Sequence, residues 1–235
     1  MENAQAFEFK TEGRDLEYLN LFAGVGGNRK LLPENVKVTA VEYNEEIAEV
    51  YQSLYKNDTV IVGDAFDYLK KNFERFDIVA GSPPCPSHSK MMKFTRHKVA
   101  DYPDMRLYGM IIFLDNFFKG KWVIENVKPY YEPLIKPTVE IGRHLFWSNF
   151  PISKIQGPDQ PKGFINKSTL EGKRQMMDWL GIHFDKTIYY GNNHCPVQIL
   201  RNCVHPEIGL HVFNCAVGVL NSNAQLQTSL WNTEL

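Results

Sequence analysis

The feature that most restricts what this chain can fold into is an alternation through its first half, in which short apolar runs rich in β-branched residues are separated by segments of helical periodicity. LEYLNLFA (16–23), VKVTAVEY (36–43), TVIVGD (59–64), FDIVAGS (76–82) and KWVIENV (121–127) read as strands. EEIAEVYQSLY (45–55), AFDYLKKNF (65–73) and LYGMIIFLDNFF (107–118) read as helices. A strand that rejoins the same sheet after a helix does so by a right-handed crossover, so the series predicts an α/β fold. Its sheet is expected to be doubly wound and mostly parallel, covered on both faces and Rossmann-like. RHLFWSNFPI (143–152) adds one further strand.

Beyond residue 152 the character changes. Residues 153–197 are rich in Gly, Pro, Asn and Lys and hold one helical pattern, near EGKRQMMDWLG, so they read as a small irregular lobe. PEIGLHVFNCAVGVL (206–220) reads as a terminal helix packing back on the sheet. The expected organisation is an α/β domain over 1–152, the lobe over 153–197, a returning segment over 198–220 and a polar tail over 221–235.

Composition removes several classes. No apolar run approaches the roughly 18 residues of a membrane span, and MENAQAFEFKTEGRD lacks a signal peptide's apolar stretch, so no membrane partner and a cytoplasmic location are expected. Cys85, Cys195, Cys203 and Cys215 form no C-x-x-C pair; neither a metal site nor a disulfide framework is indicated. The net charge of -1 supplies no general field for nucleic acid. Locally, however, Lys90, Lys93, Arg96 and Lys98 follow one another without an acid, in company with His88 and His97. Such a run is either a solvated loop or a phosphate-tracking one.

FAGVGGNRK follows the first strand directly. A glycine-rich turn between a strand and a helix lets backbone approach a ligand and aims helix N-terminal amides at it. Glu42 ends the second strand, where an acid accepts hydrogen bonds from ribose hydroxyls, and Asp64 ends the third, where an acid meets an adenine amino group. The chain has no G-x-x-x-x-G-K-[ST], and two acids suit a nucleoside edge better than a pyrophosphate. S-adenosylmethionine fits that description.

The fourth strand leads into Ser82, Pro83, Pro84 and Cys85. A lone cysteine is commonly a small hydrophobe of the core. Two prolines, though, stiffen the backbone and remove amide donors, and the cations behind them favour a thiolate, which is how a nucleophile is presented.

Taken together these segments resemble the cytosine-C5 DNA methyltransferases. FAGVGG is similar to that family's cofactor motif, PPC to its nucleophile motif and ENV (125–127) to the tripeptide of its base-binding glutamate. DMRLYGMIIFL (104–114) resembles the next cofactor segment, RHLFW (143–147) the arginine strand, and QILRNCVHPEIGLHVF (198–213) the late Asn-centred motif, in matching order from about 16 to 213. The resemblance implies Cys85 as the thiolate that adds to cytosine C6, Glu125 as the acid at N3, Asn126 as its support, and Arg143, or else His144, at the base carbonyl or the thiol. It implies that S-adenosylmethionine meets Phe22, Ala23, Gly24, Gly26 and Gly27, then Glu42, Asp64 and Ala65, and finally Pro83, Asn202 and Val204. Double-stranded DNA with a flipped cytosine is the implied substrate. Ser87, Ser89, Lys90, Lys93 and Arg96 of the closing loop would contact it, as would Lys173 and Arg174 of the lobe, with Lys154, Lys162 and Lys167 as further candidates. A compact prokaryotic or phage-type monomer is expected, with or without a cognate restriction nuclease.

The pattern is not matched throughout. Asn20 stands where the family often has Asp, Pro86 and His88 replace its usual Gln and Phe, and Arg201 stands where a Gly is usual. SPP also resembles the S-P-P-[YW] signature of amino-group methyltransferases, although Cys85 occupies the aromatic position. An RNA cytosine methyltransferase and a catalytically degenerate DNA-binding module are the other readings.

Overall fold

The computed structural model describes residues 14–84, 103–161, 163, 168–189 and 195–219. Seven strands form one sheet: β1 (Leu16–Leu21), β2 (Val36–Glu42), β3 (Thr59–Val62), β4 (Ile78–Gly81), β5 (Lys121–Val127), β6 (Val139–Ile141) and β7 (His144–Ser148). The helices are α1 (Glu45–Leu54), α2 (Ala65–Asn72), α3 (Arg106–Phe117), α4 (Leu170–Leu180), α5 (Gln198–Arg201) and α6 (Pro206–Ala216). Strand order is β3-β2-β1-β4-β5-β7-β6. β1 to β5 are parallel, while β7 runs antiparallel to β5 and β6 antiparallel to β7. The expected doubly wound, mostly parallel sheet is therefore present. Chain order reverses between β1 and β4, and the carboxyl ends of those strands border the crevice where such sheets bind ligands.

Burial on both faces explains why the strands read as unbroken apolar runs. Tyr18, Val38, Ile78, Val123 and Phe146 form one face with Ile208, Val212 and Phe213 of α6. Leu19, Leu21, Val79, Trp122 and Ile124 form the other with Leu107, Met110, Ile111 and Leu114 of α3. Each such side chain contributes about 1.5–3 kcal/mol when removed from water. Helix starts follow the usual chemistry: Asn44, Asp64 and Thr169 each accept a backbone amide from the first turn of α1, α2 and α4, and Gly181 closes α4 in the left-handed region.

Three differences from the sequence reading bear on the site. No helix follows the glycine turn. Residues 22–35 form successive turns, in which Gly26 N donates to Ala23 O, and Arg29 N and Lys30 N both donate to Gly26 O. Phe22, Gly24 and Gly26 have positive φ, which a helix cannot continue through. The second difference is β6, a three-residue strand with no legible period. The third is the expected strand 143–152, which pairs only over His144–Ser148. The terminal helix packs on the sheet as expected and ends at Ala216. No described helix is long and apolar enough to cross a membrane.

Candidate active site

The glycine turn is built around two carbonyl-end anchors. Ala23 N donates to Val41 O, and Gly24 N donates to Glu42 Oε2 at 3.0 Å. The other carboxylate oxygen accepts Asn44 N at 2.9 Å, so one buried acid ties the turn to the start of α1. Each oxygen still has acceptor capacity, because a carboxylate offers about four lone-pair directions. The Cα faces of Gly24 and Gly63 look into open space, leaving backbone accessible on either side of Glu42.

Asp64 caps α2 through Asp67 N at 2.8 Å, with Ala65 buried behind it and Phe22 packed against the neighbouring core. Tyr43, which the sequence reading passed over, is 77% exposed one residue beyond Glu42. Only its place after a strand-end acid could have drawn notice. A buried carboxylate, accessible backbone and a flat aromatic face together fit a nucleoside such as that of S-adenosylmethionine.

At the next strand pair, Gly81 faces Ile124 in register, which sets Ser82 and Pro83 alongside Glu125 and Asn126. Asn126 Nδ2 donates to Pro83 O at 3.0 Å and its Oδ1 accepts Val127 N, so the amide fixes the backbone leading to position 85. Cys85 itself lies outside the described residues, as do Ser87, Ser89, Lys90, Lys93 and Arg96. Glu125 is buried, and burial pushes its carboxyl up to about 7, against the opposing pull of the Ser82 hydroxyl and the Arg143 guanidinium. His144 Nε2 is 3.7 Å from Glu125 Oε1. Burial, and then the Arg143 charge, hold the imidazole down to about 3. At neutral pH the histidine is therefore uncharged, and the contact is not an ion pair.

The Arg143 guanidinium also bears on the late segment. Its Nη2 donates to Arg201 O at 2.8 Å, binding the arginine strand to the late segment. That segment returns to the glycine turn as the sequence suggested: a Cβ on Gly27 would collide with the Val204 carbonyl, and Val204 is buried. The Cys203 thiol takes hydrogen bonds from the Val25 and Gly27 amides, while burial pushes it up to about 12. Asn202 is exposed, and its side chain accepts from Gln198 Nε2.

A family model described as C-5 cytosine-specific DNA methylase matches residues 16–134, just over half of the chain. The chain belongs to the C-5 cytosine-specific DNA methylase family. The matched span of this methylase chain runs from β1 past β5 and contains the glycine turn, Glu42, Asp64, Cys85 and Glu125. A Methanocaldococcus jannaschii protein named as a type II methyltransferase is 27% identical over 186 residues, 68% of this chain and 58% of that protein. The methylase chain thus spans little more than half the length of that relative. Among solved structures, a mutant of Spodoptera frugiperda DNMT2 is 21% identical with a TM-score of 0.34, covering 48% of this chain and 36% of its own. A SAM-dependent methyltransferase from Agrobacterium tumefaciens is 17% identical with a TM-score of 0.36, covering 52% and 42%.

Beyond residue 152, the methylase chain departs from expectation at Lys173. That residue was a candidate phosphate contact, but it is buried, and its ammonium donates to the carbonyls of Phe184, Asp185 and Lys186, the last at 2.8 Å. It closes the loop after α4 instead. The period of α4 could have shown this, since Lys173 falls on the same face as Met176 and Leu180. Arg174, next to it, is exposed and sits 3.6 Å from Glu171. Lys154 is exposed, and Lys162 and Lys167 lie outside the described residues.

Proposed function

We propose that this chain transfers a methyl group from S-adenosylmethionine to C5 of a cytosine flipped out of double-stranded DNA. The observation that carries the reading is Glu125, a buried carboxyl raised to about 7 beside the strand that leads to Cys85. Cytosine C5 is a poor nucleophile. Addition of the Cys85 thiolate to C6 pushes an electron pair into the ring, and a protonated Glu125 at N3 takes up the developing charge. An ordinary carboxyl, ionised at neutral pH, has no proton to give there. When bound, S-adenosylmethionine supplies an electrophilic methyl group. Glu42 would hold its ribose, Asp64 its adenine amino group and Tyr43 a ring face. With S-adenosylhomocysteine as the leaving product, loss of the C5 proton to a base, expulsion of the thiolate and return of the N3 proton to Glu125 then restore the ring, Cys85 and the carboxyl.

The test is a methyl-transfer assay on duplex DNA with the product identified as 5-methylcytosine or N4-methylcytosine, and bisulfite sequencing to locate it. We expect 5-methylcytosine from the unaltered chain. Cys85→Ser should bind cofactor normally and lose turnover; full methylation by that variant, or an N4 product, overturns the assignment. A parallel RNA substrate separates the two polymers.

A further inference from the structure

Behind the glycine turn lies a polar cluster for which the chemistry above has no use. Arg29 Nε meets both oxygens of Asp58, at 3.1 and 2.8 Å, and the side chains are only 12% and 2% exposed. The Tyr51 hydroxyl donates to the same carboxylate at 2.8 Å. The Arg29 guanidinium also lies over the Tyr55 ring, 5.5 Å from its centroid. Asn20, fully buried in β1, lies beside the Tyr51 hydroxyl. A buried pair of charges is a weak source of net stability, so its place invites a different explanation.

Tyr55 joins the cluster to the glycine turn. The Tyr55 hydroxyl donates to Gly26 O at 3.0 Å, the same carbonyl that accepts Arg29 N and Lys30 N at 3.0 Å each. Three donors thus converge on one oxygen of the cofactor turn. The Tyr55 ring also fills the space that a Cβ at Gly26 would need, so it forms the floor on which the turn rests. Tyr55 is in turn fixed by its own amide, which donates to Tyr51 O at the end of α1. The start of that same helix is tied to Glu42 through Asn44. One rigid element therefore spans both the turn and the ribose-facing acid.

We propose that Tyr55, with Arg29 over its ring and its hydroxyl on Gly26 O, is a positioning residue that presets the glycine turn for S-adenosylmethionine. This rests on the cofactor reading given above. A preset turn has less ordering to lose on binding, so the unit should act on cofactor affinity and leave the chemical step alone.

Tyr55→Ala, Tyr55→Phe and Tyr51→Phe test this, with S-adenosylmethionine binding measured by calorimetry alongside kcat, KM and thermal melts. Tyr51→Phe removes a hydroxyl from the same cluster without touching the turn and serves as the comparison. We expect Tyr55→Ala to weaken cofactor binding at least tenfold, Tyr55→Phe to recover part of that loss, and Tyr51→Phe to stay within twofold while melting lower. KM for the cofactor should rise in the first two with kcat within threefold. Should Tyr55→Ala fail to fold, Tyr55→Phe still decides: faster hydrogen exchange of the Arg29 and Lys30 amides with weakened binding supports the proposal. Unchanged binding in the Tyr55 variants overturns it and leaves the cofactor reading standing, whereas an unaltered chain that binds no S-adenosylmethionine overturns both.

Discussion

Glu125 Oε1 and His144 Nε2 meet diagonally across the antiparallel pair β5–β7 at 3.7 Å, where burial raises the carboxyl to about 7 and holds the imidazole down to about 3. Such an arrangement suits an acid that must hold a proton until a base arrives. It also makes the stability of the fold depend on pH in two opposed ways.

For Glu125, the folded carboxyl titrates at about 7 against an ordinary 4.5. Below 4.5 it is protonated in both states. Between 4.5 and 7 the folded chain keeps a proton that the unfolded chain releases, so stability falls as pH rises. The loss is complete above 7 and amounts to about 3 kcal/mol at most. Glu125→Gln should therefore melt above the unaltered protein at pH 8 and level with it at pH 4. The same variant should lose at least about a hundredfold in methyl transfer, since an amide cannot deliver the proton. Equal melting differences at both pH values would show that the carboxyl is not buried as described.

His144 works in the opposite sense. Its folded value near 3 lies below the ordinary 6.5, so as pH falls from 6.5 toward 3 the unfolded chain gains a proton that the folded chain refuses. Stability is lost on the acid side, and from 4.5 to 6.5 this loss offsets the gain from Glu125. In His144→Gln the urea midpoint should therefore rise as pH falls from 7 to 5, where the unaltered protein stays nearly level. A midpoint that stays level in the variant too would exclude His144 as the offsetting group.

How far the sequence reached depends on how local each signal was. β1 to β5 were legible because buried parallel strands must be continuous apolar runs, and α1 and α2 because their apolar residues recur at helical spacing. Val139–Ile141 was not, since three residues carry no period and its partner is chosen by tertiary packing. The absence of a helix after the glycine turn was hidden as well; there the Val204 carbonyl presses on Gly27, a contact made across about 180 residues of chain. At the site, Glu42 could be named from its strand end, and Glu125 from the resemblance of ENV to the family's tripeptide. The uncharged state of His144 could not, as it depends on burial between elements distant in sequence.

The two sides of the glycine turn should respond unequally to a methyl group. Gly24 has a φ of 55° but open space around a would-be Cβ, so Gly24→Ala meets only the left-handed strain, roughly 1 kcal/mol. At Gly27 the obstacle is the Val204 carbonyl, a backbone atom that cannot swing aside. Gly27→Ala should force the late segment off the turn, lowering the melting temperature well beyond the Gly24→Ala effect and abolishing cofactor binding. Thermal denaturation with and without S-adenosylmethionine measures both, and comparable behaviour of the two variants would place the late segment elsewhere.

Lys173 and Arg174 are neighbours in sequence with contrasting surroundings. In Lys173→Met the aliphatic stem survives, but the carbonyls of Phe184, Asp185 and Lys186 lose a charged donor, at a cost of about 1–3 kcal/mol. Arg174→Ala, which breaks only a solvent-exposed contact with Glu171, should change stability by less than about 0.5 kcal/mol. Removing a phosphate contact lowers DNA affinity and reduces the salt dependence of binding by about one counterion. Lys173→Met should do neither at temperatures where it is folded, because its ammonium already faces inward. Urea denaturation with DNA binding across a salt series makes the comparison, and a shallower salt slope for folded Lys173→Met would return this lysine to the DNA-facing surface.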